Sequence, residues 1–195
     1  MVVELKNITK KYGGQTVLSH LNLRLEKGER VCLMGASGSG KTTLLSILAG
    51  LVKPEGGMVS GVKKGTISMV FQEDRLIEGE DAFSNLSLVL KTKMSLEQMR
   101  QEYARIGLVD YEGKPVAEFS GGMKRRVAIV RAVCAEARLV LMDEPYKGLD
   151  EESKKQAIRY VREKTAGRTV LMVTHDRLEA EWMGAKILEL ESLQS

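Results

Sequence analysis

Gly35-Ala36-Ser37-Gly38-Ser39-Gly40-Lys41-Thr42 is the stretch on which the reading of this chain turns. Its spacing is G-x-x-x-x-G-K-[ST], and holding a phosphate asks for that composition. Glycines let the backbone wrap close to a phosphate with its N–H groups aimed at the oxygens. A helix starting near Gly40 adds its positive N-terminal end. Lys41 is expected to reach the β- and γ-phosphates, and Thr42 to give its hydroxyl to Mg2+. Gly35, Ser37, Gly38, Ser39, Gly40 and Thr43 complete the predicted lining.

The flanks supply the context such a loop needs. Val31, Cys32, Leu33 and Met34 form a short apolar run that ends at Gly35 and reads as a buried strand. From Lys41 the period changes: Leu44, Leu45, Ile47, Leu48 and Leu51 fit one helical face, stopped by Gly50 and Pro54. Further out, Val17, Leu21, Leu23 and Leu25 share one parity, which predicts a strand over 17–25. The Gly-rich residues 54–65 read as turns, and Ile67, Met69 and Phe71 as another strand. Ser95 with Gln98 is a capping box opening a helix through Leu96, Met99, Tyr103 and Ile106. Gly121-Gly122 precede a second helix with Met123, Val127, Val130 and Cys134 on one face. Strand 139–142, helix 151–164, strand 170–174, a short helix after Asp176 and strand 187–190 follow. Strands alternating with helices make an α/β chain with a largely parallel central sheet. Residues 72–120 show no convincing strand and are expected to form a helical insertion.

A second element should hold the metal. Leu139-Val140-Leu141-Met142 runs straight into Asp143-Glu144, a buried strand whose tip enters a polar cleft. Where a phosphate loop is present, such an Asp anchors Mg2+. Glu144, one residue further, points differently and can polarise an attacking water as general base.

Composition sets the outer bounds. The 195 residues suit one folded unit, and 43% hydrophobic with 29% charged residues is ordinary for a globular protein and excludes disorder. No apolar run approaches the ~18 residues that span a bilayer, so in a membrane process another chain would do the crossing. Residues 1–14 contain no apolar h-region, and no secretory signal is read there. Cys32 and Cys134 sit in apolar stretches and read as buried thiols of a reducing compartment. The net charge of +4 comes from interspersed basic and acidic residues, so nucleic acid is not expected as a partner.

Glu118-Phe119-Ser120-Gly121-Gly122-Met123-Lys124-Arg125-Arg126 adds a second glycine pair at a helix start, about twenty residues before the acidic strand end. Ser120, Gly121 and Gly122 make a second phosphate-binding surface. One nucleotide uses two such surfaces only if they approach it from opposite sides. Together with the phosphate loop, this pattern resembles the ATP-binding cassette (ABC) family, specifically the nucleotide-binding subunit of a transporter. Met123 replaces the family's usual Gln, and its thioether cannot make the amide's hydrogen bond.

The resemblance covers nearly the whole chain and implies a P-loop NTPase fold, with a mostly parallel central sheet, an N-terminal antiparallel β portion and an inserted helical subdomain. It implies a single nucleotide-binding domain over 1–195. The ATP-binding core would be 1–71 and 138–195, and residues of about 73–137 would form the helical subdomain with the signature. It also implies ATP and Mg2+ as cofactors, and two subunits packed head to tail with each ATP between the loop of one and the signature of the other. Tyr12 is placed where an aromatic stacks on adenine. Gln72 matches the glutamine that contacts Mg2+ and water, ahead of a segment that touches membrane subunits. Pro145-Tyr146-Lys147-Gly148-Leu149-Asp150 resembles the D-loop, Asp150 facing the partner's site, while His175 matches the switch histidine at the γ-phosphate. Lys41, Gln72, Glu144 and His175 are thus the expected catalytic set, with Thr42, Gln72 and Asp143 around the metal. His20 is read as structural or surface.

Val70-Phe71-Gln72-Glu73-Asp74-Arg75-Leu76 and the SGGM signature resemble importer subunits of the nitrate, sulfonate and taurine group. The implied partners are a second copy or a paralogous ATP-binding subunit, integral membrane permease subunits and, in an importer, an extracytoplasmic substrate-binding protein. The implied location is peripheral, on the cytoplasmic face of the membrane. Exporter-type and lipoprotein-release cassettes carry the same motifs and stay open as alternatives. So do a soluble non-transport ABC ATPase and a non-hydrolysing nucleotide-dependent regulator. Against the soluble class stands the lack of a second cassette or long coiled coil. Against the regulator stand the intact Lys41, Asp143, Glu144 and His175.

Overall fold

A computed structural model of the chain describes residues 2–63 and 65–194; Met1, Lys64 and Ser195 lie outside the described residues. The elements in chain order are β1 Val3–Tyr12, β2 Gln15–Leu25, β3 Arg30–Met34, α1 Lys41–Leu48, β4 Gly56–Ser60 and β5 Ile67–Val70. Then come α2 Ala82–Ser87, α3 Leu96–Arg105, α4 Gly121–Cys134, β6 Leu139–Asp143, α5 Glu151–Lys164, β7 Thr169–Val173, α6 Arg177–Met183 and β8 Lys186–Glu189.

Two sheets result. The central one has the order β5-β6-β7-β3-β8 with every neighbouring pair parallel, and the second is an antiparallel β2-β1-β4. A parallel sheet is covered on both faces, so its strands read as unbroken apolar runs. All five residues of β6 and of β7 are buried. Alternate residues serve different cores. Val140, Met142, Val170, Met172 and Cys32 join the core that contains the helical layer α2–α6. Leu139, Leu141, Leu171, Val173 and Leu33 join one shared with α1, β1 and β2.

Several expectations need correction. The stretch 54–65 is not only turns: Gly56–Ser60 is a strand paired with β1. Its glycines signal close backbone approach rather than a bend, since a Cβ on Gly57 would collide with the carbonyls of Lys6 and Asn7. In β2 the inward parity does not run back to Val17. Leu18 is the buried residue, because the β1–β2 register shifts at bulges where Asn7 and His20 take positive φ. Leu51 lies beyond the end of α1 and is 57% exposed, and Leu96 is likewise exposed at the start of α3. Phe71 falls just past β5, whose buried residues are Ser68 and Val70. Gly121 and Gly122 form the first turn of α4 rather than preceding it. Leu190 belongs to a short 3-10 turn after β8.

Between β5 and α4 the chain forms α2 and α3. The Ser95–Gln98 capping box is present in full, and Met99, Tyr103 and Ile106 of the predicted stripe are buried. Phe83, Tyr103 and Tyr111 pack ring against ring, centroids 5.1–6.1 Å apart, and the Tyr103 hydroxyl donates to the Ala82 carbonyl at 2.6 Å. A buried polar knot ties α3 to α5: Glu102 accepts from the Tyr160 hydroxyl at 2.7 Å and from the Lys164 ammonium at 2.9 Å. Burial alone would push the Glu102 carboxyl up, but Tyr160 and Lys164 outweigh it and hold it below the usual carboxylate range. A depressed carboxylate stabilises the fold above its unfolded-state pKa, and that contribution is lost as pH falls through the folded one. Chemical denaturation is therefore expected to show stability falling as pH drops through and below the carboxylate range. Glu102→Gln should flatten that slope and cost about 1–3 kcal/mol at pH 7; an unchanged slope would exclude Glu102 as its source.

Candidate functional site

In an open parallel sheet, ligands bind outside the carboxyl ends of the strands, where strand order reverses. The turn after β3 leads into Gly35, β5 into Phe71-Gln72, β6 into Glu144 and β7 into Thr174-His175. These ends converge on a cleft of about 440 Å3 lined by Tyr12, Gly35, Ser37, Gly38, Gly40, Lys41, Thr42, Thr43, Gln72, Asp143, Glu144 and His175.

The loop after β3 is built from backbone. Gly40 has φ 105° and a Cβ there would sit 2.7 Å from Leu18 Cδ2, so only glycine fits between β2 and the helix start. No side chain caps α1, which leaves its first N–H groups facing the loop. The Lys41 ammonium braces the loop from inside, donating to the carbonyls of Gly35 at 2.9 Å and Ala36 at 2.6 Å and to Ser39 Oγ at 3.3 Å. From outside, Glu191 accepts from the Ala36 amide at 3.1 Å. Backbone amides, its own and that of Ala36, hold the Glu191 carboxyl below its ordinary range.

At the end of β6, Asp143 is buried and its carboxyl is pushed up by burial and by neighbouring Glu144, against a hydrogen bond from Thr42. Its Oδ2 is buried without a hydrogen-bond partner. An orphaned carboxylate oxygen beside a threonine hydroxyl, with the Gln72 amide lining the same cleft, is a hard-oxygen donor set of the kind that suits Mg2+ completed by phosphate oxygens. Glu144 departs from the strand with φ 44° while its amide still donates to the Val173 carbonyl at 2.9 Å. Its carboxylate lies 3.7 Å from His175 Nδ1 and 3.3 Å from the Lys147 ammonium. The pairing of Asp143 with Val173 sets Glu144 and His175 at neighbouring strand ends. The His175 side chain is 78% exposed, open to the mouth of the cleft.

Ser39, Ser120, Gly121, Gly122 and Asp150 do not line this cleft; the Ser39 hydroxyl instead accepts from the Lys41 ammonium within the loop. Ser120 caps α4, its Oγ accepting from the Met123 amide at 3.3 Å, which leaves its hydroxyl proton free to donate. Asp150 caps α5, with Oδ1 accepting from the Ser153 amide at 2.9 Å and Oδ2 from the Ser153 hydroxyl at 2.7 Å. His20 is exposed, its Nδ1 2.7 Å from Asn7 Oδ1. Two residues next to the site escape a motif reading: Glu191, behind the phosphate loop, and Arg125, whose guanidinium reaches under both Gln72 and Glu144. Arg125 stands in a Lys-Arg-Arg run to which no motif gives a role, and its neighbours Phe71, Asp74 and Pro145 are distant in sequence.

A family model described as ABC transporter matches residues 18–147. The aliphatic sulfonates import ATP-binding protein SsuB 3 of Rhodococcus jostii is 38% identical over 195 residues, covering 98% of this chain and 72% of that protein. The spermidine/putrescine import ATP-binding protein PotA of Mycoplasma capricolum subsp. capricolum is 36% identical over 204 residues, covering 96% of this chain and 58% of that one. Among solved structures, a dimeric post-hydrolysis state of the ATP-binding cassette MJ0796 bound to ADP and Pi superposes with a TM-score of 0.82. It is 31% identical, over 96% of this chain and 94% of that one.

Proposed function

Because this chain belongs to the ABC transporter family and carries its ATPase cassette, we propose that it binds Mg2+-ATP in the cleft above β3 and β6 and hydrolyses it as the motor of an importer. The observation that carries this reading is the convergence of Lys41, Thr42, Gln72, Asp143, Glu144 and His175 on one cleft, with the Ser120 glycine turn outside it. Half of the phosphate-binding equipment therefore waits for a second chain.

Each residue has a role that elementary chemistry assigns. The loop amides and Lys41 neutralise phosphate charge without reorganising. Thr42, Asp143 and Gln72 hold Mg2+, which supplies charge neutralisation at the phosphate oxygens when bound. Glu144 accepts the proton of the attacking water, and His175 donates near the departing phosphoryl group. Tyr12, 49% exposed at the end of β1, offers a flat face to the base. Tyr12→Ala should weaken ATP binding by about 1–3 kcal/mol and leave the rate at saturating ATP near normal; equal affinity would remove the stacking role.

Closure needs a partner. Ser120, Gly121 and Gly122 of a second subunit cover the exposed side of the phosphate, so the closed dimer is favoured only while the γ-phosphate is attached. No helix among the described residues is long and apolar enough to cross a membrane, and permease subunits would supply the channel. A groove of about 430 Å3 lined by Leu51, Met69, Phe71, Val89 and Ala132 runs up to the segment bearing Gln72. An apolar permease helix seated there would press directly on the site. The relatives named as import ATP-binding proteins for sulfonates and for spermidine/putrescine support an importer, in which an extracytoplasmic binding protein would deliver the solute and this subunit would sit on the cytoplasmic face. Reconstitution with its permease in proteoliposomes tests the reading: ATP inside should drive uptake and release phosphate, and EDTA should stop both. Phosphate release without any movement of solute would leave an ATPase that is not a transport motor.

A further inference from the structure

Arg125 is 4% exposed, in the second turn of α4, and its guanidinium faces backbone on two other segments. Nε donates to the Pro145 carbonyl at 2.8 Å, and Nη2 to the carbonyls of Asp143 at 3.0 Å and Glu144 at 2.5 Å. Nη1 donates to the Phe71 carbonyl at 2.7 Å and the Asp74 carboxylate at 3.0 Å, with the Gln72 carbonyl at 3.4 Å. Arg131, two turns along the same helix, holds the Asp74 carbonyl at 2.9 Å. The segment that carries Gln72 and the one that carries Asp143-Glu144 thus meet on a single planar fork, which a lysine or a glutamine could not span. One of the carbonyls it holds belongs to Glu144, at the positive φ that swings this side chain into the cleft. Such a backbone conformation persists only where the surroundings over-determine it.

We propose that Arg125 is a positioning residue for hydrolysis. It fixes the aim of Glu144, sets Gln72 against it, and fastens both to the helix that Ser120 caps and Gly121-Gly122 open. Through it, the surface that would grip the partner's ATP is joined to the chain's own general base. The proposal rests on the hydrolytic reading above.

The test uses the full chain and compares hydrolysis rate with affinity for a fluorescent ATP analogue in the parent, Arg125→Gln and Asp74→Asn, with thermal unfolding as the folding control. Arg125→Gln should lower kcat by about 10–100-fold, the loss expected from a small misplacement of reacting groups. Its nucleotide affinity should stay within about threefold of the parent, because the loop and Lys41 are untouched. Asp74→Asn removes one charge from the same fork, keeps the carbonyl contacts, and should show the same split with a smaller loss of kcat. A folded Arg125→Gln with parental kcat, or one that loses affinity in proportion to rate, overturns the proposal. If Arg125→Gln does not fold, Asp74→Asn decides, and parental kcat there overturns it. A parent chain that neither binds nor hydrolyses ATP would sink the underlying reading instead.

Discussion

Glu144→Gln is expected to bind ATP as well as the parent and to lose about 100- to 10,000-fold in turnover, the range for removing a positioned general base. The change is nearly isosteric. The amide can still sit beside His175 Nδ1, 3.7 Å from Glu144 Oε1 in the parent, and the backbone at φ 44° keeps its anchors to Val173 and Arg125. What disappears is the capacity to take a proton. The ion pair with Lys147 is lost as well, but Lys147 is largely exposed and such pairs contribute little. Phosphate release and ATP affinity, measured side by side, check this. Near-parental release by the variant would mean that another group activates the water.

Lys41→Ala is the second large effect, and it falls on the other side of the kcat and affinity divide. Its ammonium lies within 3.3 Å of the Gly35 and Ala36 carbonyls and Ser39 Oγ, so it holds the loop in shape before any phosphate arrives. Truncation removes the cation and the brace together. The expected loss of ATP affinity is about 3 kcal/mol or more, at least about 100-fold, because charge-assisted bonds to phosphate are the strong ones. Titration of a fluorescent ATP analogue measures it. The fold should survive, since Lys41 lies at the rim of the core rather than within it. Unchanged affinity would take the loop out of phosphate binding altogether.

Much of the architecture was legible because local and global signals agree there. The strand running into Asp143-Glu144 is apolar up to Asp143 because it lies inside a parallel sheet, and the helix Glu151–Lys164 has the predicted bounds, with Asp150 as its cap a finding of the structure. The phosphate loop is legible because its own backbone path demands glycine, Gly35, Gly38 and Gly40 all standing at positive φ. The misreadings have a common cause: long-range contact overriding local composition. Gly57 looks like a turn residue until the backbone of β1 is laid against it. The β2 parity breaks at Leu18 because Asn7 and His20, on paired strands, each absorb a bulge. Arg125 carries no signal of its own in the sequence, and only the fold brings Phe71, Asp74 and Pro145 around it. Glu191 contacts the loop across 155 residues of sequence, which no spacing rule would find.

The central claim is that the cleft is half a site, completed by the glycine turn of a second subunit. Light scattering on purified Glu144→Gln, with ATP and then with ADP, tests it most directly. The account predicts a dimer mass with ATP, a monomer with ADP, and no ATP-dependent dimer when Ser120 is also replaced by a bulky residue. A Glu144→Gln chain that binds ATP tightly and remains monomeric would contradict it.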